Sequence, residues 1–352
     1  MPDPAARRLS DHTTLRLGGP ARAWVRAATE DELVEAVRRA DEAGEPVLVL
    51  GGGSNLVVAD EGFPGTVVEV ATSGVRVDTH GIDGIDGDDP TCGGVVVEVA
   101  AGESWDDLVA TAVERHWVGV EALSGIPGSV GATPIQNVGA YGQEISQTLA
   151  RVRVWDRRLR GIRTFAAADC GFGYRTSRFK ADPSRHVVLG VTFQLRQGLL
   201  GAPVTYAELA AALGVEPGGR APMSDVRPAV LDLRRRKGMV LDPDDHDTWS
   251  AGSFFTNPLI PAEDLPHGAP SWPQPGGVVK TSAAWLIEHA GFERGYGSGA
   301  ARLSTKHTLA LTNRGGATTA ELLGLAREIR DGVQRRFGVS LVNEPVLVGC
   351  DI

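Results

Sequence analysis

Two glycine-rich stretches hold the residue types that bind phosphate: Gly51-Gly52-Gly53-Ser54-Asn55 and Ser124-Gly125-Ile126-Pro127-Gly128-Ser129-Val130-Gly131. Glycine lets backbone N–H groups approach an anion closely and take up positive φ, and Ser and Asn add hydroxyl and amide donors. Two such loops far apart in sequence suggest a long, folded-over ligand with a diphosphate in its middle. Neither stretch ends in the Gly-Lys-Ser/Thr of a Walker A loop. Neither is a G-x-G-x-x-G turn with an acidic residue at the right distance, which argues against a Rossmann dinucleotide site.

The elements that carry these loops read as an α+β protein. Trp24 and Val25 lie in a short strand, and Thr29-Glu30-Asp31-Glu32 is a capping box that opens a helix with Leu33, Val34, Val37 and Ala40 at helical spacing. Gly44 ends that helix, and Pro46 to Leu50 is a buried strand that runs into the first glycine loop. Short β-rich runs follow at 66–70, 75–77 and 95–100, with an acidic, glycine-rich loop at Gly81 to Pro90. Ser104 caps a helix that runs to about His116, ahead of the second glycine stretch, and strands resume at 152–155 and 187–195. Beyond Gly198, Tyr206 opens a short helix, and Ser224 caps a longer one that runs into Arg234-Arg235-Arg236-Lys237. A helix at 283–290, a strand at 308–312, a capped helix from Thr318 to Phe337 and a last strand carrying Glu344-Pro345-Val346 complete the chain. We therefore expect residues 1–198 to form one region, with a β-α-β unit at 12–70 and a second lobe at 71–198, and residues 199–352 to form another.

Composition narrows the class. The chain has 352 residues, enough for two or three domains, and a net charge of -9. A weakly acidic protein is a poor non-specific nucleic-acid binder. The three cysteines, Cys92, Cys170 and Cys350, form no C-x-x-C pair, which fits a reducing compartment and argues against a disulfide framework or a structural zinc. No apolar run is long enough for a bilayer, and Met1-Pro2-Asp3-Pro4 opens no secretory signal. The expectation is a cytoplasmic protein with no metal, nucleic-acid or membrane partner.

The motifs, taken in order, resemble the UDP-N-acetylenolpyruvoylglucosamine reductases, also called UDP-N-acetylmuramate dehydrogenases. Gly18-Gly19-Pro20-Ala21 with Gly51 to Asn55 looks like that family's first flavin segments, and Ser124 to Gly131 with Gln136-Asn137-Val138-Gly139-Ala140-Tyr141-Gly142 looks like its second. Tyr174-Arg175-Thr176-Ser177-Arg178-Phe179-Lys180 and Ala251-Gly252-Ser253-Phe254-Phe255-Thr256-Asn257-Pro258 match its most distinctive runs, and Lys306-His307 and Asn343-Glu344-Pro345 close the set. The resemblance implies an FAD-binding domain of the vanillyl-alcohol-oxidase type followed by a smaller substrate-binding domain. It also implies non-covalent FAD, NADPH as hydride donor, and a role in peptidoglycan precursor synthesis. Thr205-Tyr206-Ala207-Glu208-Leu209 resembles the segment that, in one type of the family, brings a tyrosine over the substrate. A monomer acting on a small molecule is expected.

The implied substrate is an enolpyruvyl ether of a UDP-amino sugar, whose double bond is conjugated with a carboxylate. Hydride addition builds negative charge towards a group that is already anionic, so the protein must supply donors at the carboxylate and a proton at the α-carbon. Flavin carries the hydride chemistry. Arg175 can hold the carboxylate in a forked contact and stabilise an enediolate-like intermediate. Glu344 shares that duty as a protonated carboxyl, the form that burial favours. Ser253 can protonate the strongly basic carbon. The family assigns these roles to the matching positions. Tyr174, Tyr206, Lys237 and Asn257 are expected to hold the sugar nucleotide, and His289 stands where relatives often have glutamine. Taken singly, Ser253 reads as a turn residue, Glu344 as a solvated strand end and Arg175 as an ion-pair residue; the joint pattern makes the assignment. Two rivals are an alcohol oxidase on the same FAD scaffold and a non-catalytic nucleotide-binding module. No His or Cys lies in Leu50 to Asp60 to tether a flavin, the oxidase gives no reason for Gly252-Ser253-Phe254-Phe255, and a binding module would need no proton donor and no Arg–Glu pair.

Overall fold

The computed structural model describes residues 7–78 and 94–352. The expected loop at Gly81 to Pro90, Cys92 and the opening Met1-Pro2-Asp3-Pro4 lie outside them. The described residues divide into two compact units. One comprises those of Ala23–Gly52 and Gly65–Arg235, here the sheet unit; the other comprises those of Met1–Arg22, Gly53–Pro64 and Arg236–Ile352, here the C-terminal unit.

The sheet unit begins with strand Ala21–Ala27 and helix α1 (Glu30–Glu42), whose Thr29/Glu32 capping box forms as expected. Leu33, Val37 and Ala40 face inward from α1. They pack with Ala27, Val68, Trp155, Val187 and Leu189. Strand Val47–Leu50 then pairs in parallel with Phe63–Val70, and the sheet order places Phe63–Val70 between Val47–Leu50 and Ala21–Ala27. The expected β-α-β unit therefore has a later strand inserted at its centre.

A larger antiparallel sheet runs in the order Gly161–Ala166, Leu149–Asp156, His186–Gln197, Gly94–Ala100, Val75–Asp78. Gly94–Ala100 alternates half-buried and buried residues, as a sheet with one face on the core requires. That face packs on α2 (Trp105–Glu114), which Ser104 caps by accepting the Asp107 N–H. Helix α3 (Arg178–Ala181) is capped by Ser177, α4 (Ala207–Leu213) starts after Tyr206, and α5 (Met223–Arg236) follows. Helix α5 starts one residue before the cap expected at Ser224. The Pro222 carbonyl accepts the Val226 N–H and opens the first turn, so Ser224 lies inside it.

The break expected near residue 198 is displaced to 235/236. The segment beyond Gly198 packs back on the sheet unit through Val204, Leu209, Ala210, Val226, Val230 and Leu233, with Ala122 in the same cluster. Arg227 of α5 also pairs with Asp106 of α2 at 2.7 Å. The C-terminal unit in turn includes Gly53–Pro64 because Leu56–Val58 pairs in parallel with Val346–Val348. Its core gathers α6 (Ala283–His289) and α7 (Thr319–Phe337) around Phe254, Phe255, Leu303 and Leu311. Two strand boundaries shift. The strand expected at 308–312 is Leu311–Asn313, and the last strand begins at Val346 rather than Glu344. Pro345 has no N–H to donate, and the first ladder donor is the Val346 N–H to the Asn55 carbonyl. The fold is α+β, with helices and mixed strands in both units.

Candidate active site

In the sheet unit the start of the first glycine loop lies against the second. A Cβ on Gly51 would fall 2.5 Å from Ser129 Oγ, and one on Gly52 would fall 2.6 Å from Gly128 Cα. Glycine is required at Gly52, where the Gly128 main chain leaves no room for a side chain; at Gly51 the close neighbour is the Ser129 hydroxyl, a side-chain end that would have to turn away. The second loop is fixed along its length: Gly128 O accepts the Trp105 N–H, and the Val130 and Gly131 N–H groups donate to Glu103 O and Ala101 O. Gly125 sits at φ 72, and its N–H donates to Asp106 Oδ1 at 2.6 Å. Burial would raise the Asp106 pKa; the Arg227 guanidinium and the Gly125 N–H outweigh it and hold the carboxyl below its usual range. A cradle of closely apposed main chain, with Ile126, Pro127 and Gly128 half-buried and Gly52 exposed, fits a dinucleotide's diphosphate. Ser124 differs from expectation. It is fully buried, and its hydroxyl donates to Glu121 O at 2.7 Å, so it shapes the loop instead of facing a ligand.

Arg175 stands at the tip of a tight turn closed by reciprocal bonds between Gly173 and Thr176. Its φ is 52, a conformation that favours glycine. The guanidinium donates to Gly139 O at 2.9 Å and lies 5.6 Å from the Tyr174 ring. Asn137, at φ 49, supports the turn: its amide donates to Gly173 O and to Glu144. Ser177 donates to Ile135 O at 2.6 Å and caps α3, so it ties the two motifs together. Tyr206 is 44% exposed, and its ring stands edge-on to Tyr141 at 5.3 Å. Its segment is anchored where Glu121, buried, accepts the Ala202 N–H and the Gln143 amide.

In the C-terminal unit the structure brings Ser253 and Glu344 onto neighbouring segments. Phe255 bridges Asn343, and Phe254 O accepts the Glu344 N–H at 2.8 Å. The buried Phe254 and Phe255 rings, 5.2 Å apart, pin the run that carries Ser253. Asn55 joins them: its amide donates to Glu344 O, and its carbonyl accepts the Val346 N–H. Gly53 is forced to be glycine by His12 O, 1.9 Å from the Cβ position, and Ser54 lies half-buried beside it. Asn257 Oδ1 accepts the Ala283 N–H at the start of α6, a structural duty not anticipated. Lys237 is half-buried just after α5, and Gly238 (φ 66) packs under Asp247. His289 is exposed at the end of α6, with its ring stacked 3.9 Å from Trp285. Gly19 also has a packing role, since its Cβ position lies 2.2 Å from Asp60 O.

No sequence signal points to the parts played by Asp106 and Asp247, and Asn137 stands out only as a member of the second flavin-like segment, not as the support of the Arg175 turn. Asp247 is buried and accepts the Thr305 N–H, the Thr305 hydroxyl and Arg314, an arrangement that ties the 246–248 turn to the segments around 305 and 314. An acidic residue inside a run such as Asp244-Asp245-His246-Asp247 looks solvated, and nothing local marks the one that is buried.

Residues 21–158 match a family model described as an FAD binding domain, and residues 242–348 match that of the UDP-N-acetylenolpyruvoylglucosamine reductase C-terminal domain. The UDP-N-acetylenolpyruvoylglucosamine reductase of Cutibacterium acnes is 57% identical, over 98% of this chain and 90% of that one. The protein of the same name from Thermobifida fusca is 56% identical, over 97% and 96%. The crystal structure of UDP-N-acetylenolpyruvylglucosamine reductase from Thermus caldophilus superposes with a TM-score of 0.64 at 27% identity, covering 97% of each chain. The chain belongs to the UDP-N-acetylenolpyruvoylglucosamine reductase family.

Proposed function

We propose that this protein reduces the enolpyruvyl ether of UDP-N-acetylglucosamine to UDP-N-acetylmuramate, a step of peptidoglycan precursor synthesis, with FAD bound non-covalently and NADPH as the reductant. The full-length identity to reductases of that name carries the proposal. The paired glycine loops support the cofactor part of it. Bound FAD supplies two-electron chemistry, taking a hydride from NADPH and giving one to an alkene carbon.

The chain's own residues do the rest. Gly51 to Asn55 and the 126–129 stretch of the second loop hold the cofactor's diphosphate through main-chain donors, while Gly125, Val130 and Gly131, whose N–H groups bind Asp106, Glu103 and Ala101, hold the loop in shape. Arg175 directs its guanidinium at the substrate carboxylate and stabilises the charge that develops there. Glu344, in its protonated form, donates to the same carboxylate. Ser253 Oγ gives its proton to the α-carbon and regains one from solvent, so one hydride and one proton add across the double bond while NADPH becomes NADP⁺. Tyr174, Tyr206, Lys237 and Asn257 hold the sugar nucleotide, with Tyr206 covering the diphosphate or uridine side as in the family type that carries this segment. The sheet unit carries Gly51, Gly52, the second glycine loop and Arg175, and the C-terminal unit carries Gly53 to Asn55, the serine and the carboxyl. The working form in this reading is a cytoplasmic monomer.

The test is NADPH oxidation by the purified protein with and without enolpyruvyl-UDP-N-acetylglucosamine. Oxidation that depends on that compound, with a product that has gained two hydrogens, supports the proposal. Oxidation that proceeds equally without it, at the expense of oxygen, excludes it.

A further inference from the structure

We infer that Thr14 is a positioning residue for Ser253. The inference rests on the reading of Ser253 as proton donor. Thr14 joins two stretches of the C-terminal unit that are far apart in sequence. Its N–H donates to Gly53 O at 3.1 Å, and its hydroxyl donates to Ser250 O at 2.6 Å and also lies 3.5 Å from Ser54 O. The segment around it is rigid. Thr13 closes a turn on Leu17 with its hydroxyl, Asn313 donates to Leu15 O, and Arg16 sits at φ 51 with its guanidinium 3.8 Å above the Trp249 ring.

Ser253 lies in a short span between two anchors. On its far side Phe254 is held by main chain and a buried ring: its N–H donates to Leu309 O at 2.7 Å, and its carbonyl accepts the Glu344 N–H. On its near side the chain turns at Gly252 (φ 73), whose N–H donates to Ser250 Oγ, and Thr14 holds Ser250 O through a side-chain hydroxyl. The contacts close a ring: Gly53 to Thr14, Thr14 to Ser250, through Ser253 to Phe254, Phe254 to Glu344, and Glu344 to Asn55, two residues from Gly53. Thr14 sets the register of the serine against the end of the first glycine loop. A displacement of about 1 Å at a reacting group can cost about 10²-fold.

The test compares Thr14→Val, Thr14→Ala and Thr14→Ser holoenzymes, with Ser253→Ala alongside. The two variants without the hydroxyl should take up FAD and be reduced by NADPH as the native protein is. Their reoxidation by enolpyruvyl-UDP-N-acetylglucosamine should slow by about 10-fold or more. Amide hydrogen exchange across residues 250–254 of the FAD-free proteins should rise in both. Thr14→Ser should restore both readouts. Thr14→Ala serves if the valine methyl, placed against a carbonyl, prevents folding. Equal slowing of both half-reactions, native reoxidation without the hydroxyl, or no rescue by serine overturns the inference. If Ser253→Ala itself reoxidises at the native rate, the reading of Ser253 falls and Thr14's role with it. If Ser253→Ala is slow and Thr14→Val is not, Thr14 alone is excluded.

Discussion

Arg175 occupies a backbone conformation that glycine would adopt at less cost. A non-glycine residue there costs on the order of 1–3 kcal/mol, and it persists because Gly173, Thr176 and Asn137 over-determine the turn. One guanidinium donor is spent on Gly139 O. A lysine would have to choose between that carbonyl and a substrate carboxylate. Arg175→Lys should therefore lose about 10²-fold or more in turnover while its melting temperature stays near native. Near-native turnover would remove Arg175 from the catalytic set. Ser253→Ala should be reduced by NADPH at the native rate and lose about 10²-fold in substrate reduction; an equal loss in both steps would make the serine structural.

At the scale of elements, α2, α5 and the second glycine loop meet at one carboxylate. Asp106 binds Arg227 through both oxygens and accepts the Gly125 N–H. Asp106→Ala leaves a part-buried guanidinium and a loop N–H without their acceptor. The pair is part-exposed, so the change should cost about 1–2 kcal/mol in denaturant unfolding and weaken FAD binding, because the loop loses its tether. Native stability with native FAD affinity would show that the loop is held by its other contacts. The helices here were largely legible. Thr29/Glu32 and Thr318/Glu321 form the capping boxes their spacing announces, since a cap is a contact between residues three apart. Strand order was not legible. Nothing local in Phe63–Val70 states that it inserts between Ala21–Ala27 and Val47–Leu50, and the start of α5 was misplaced because Ser224 is a good cap by type while Pro222 does the work.

At the scale of the whole molecule, the chain passes between its two units after Arg22, Gly52, Pro64 and Arg235. A single boundary near 198 was the natural reading of a composition change, and no composition change marks a unit assembled from three separate stretches. The two glycine loops and the Ser253 and Glu344 motifs were readable because their residue types are unusual in combination. Thr14 and Asp247 were not, because each is ordinary in its neighbourhood and its partner is distant; Ser250 is 236 residues from Thr14. Asp247 also gives the molecule an acid limb. Burial alone would raise its pKa, yet the Thr305 donors and Arg314 bring it below the ordinary carboxyl value. A folded pKa below the unfolded one means stability that is present above about pH 4 and lost as pH falls through the folded value. Asp247→Asn should lower stability at neutral pH and flatten the loss below about pH 4, followed by thermal unfolding across that range. An unchanged acid limb would assign it to other carboxylates.

The central claim is that one flavin site takes electrons from NADPH and gives them to an enolpyruvyl ether. Anaerobic stopped-flow absorbance of the holoenzyme tests it most directly. NADPH should bleach the yellow protein, and enolpyruvyl-UDP-N-acetylglucosamine alone, without oxygen, should restore the colour with one equivalent of UDP-N-acetylmuramate per flavin. A protein that recolours only when air is admitted would contradict the account.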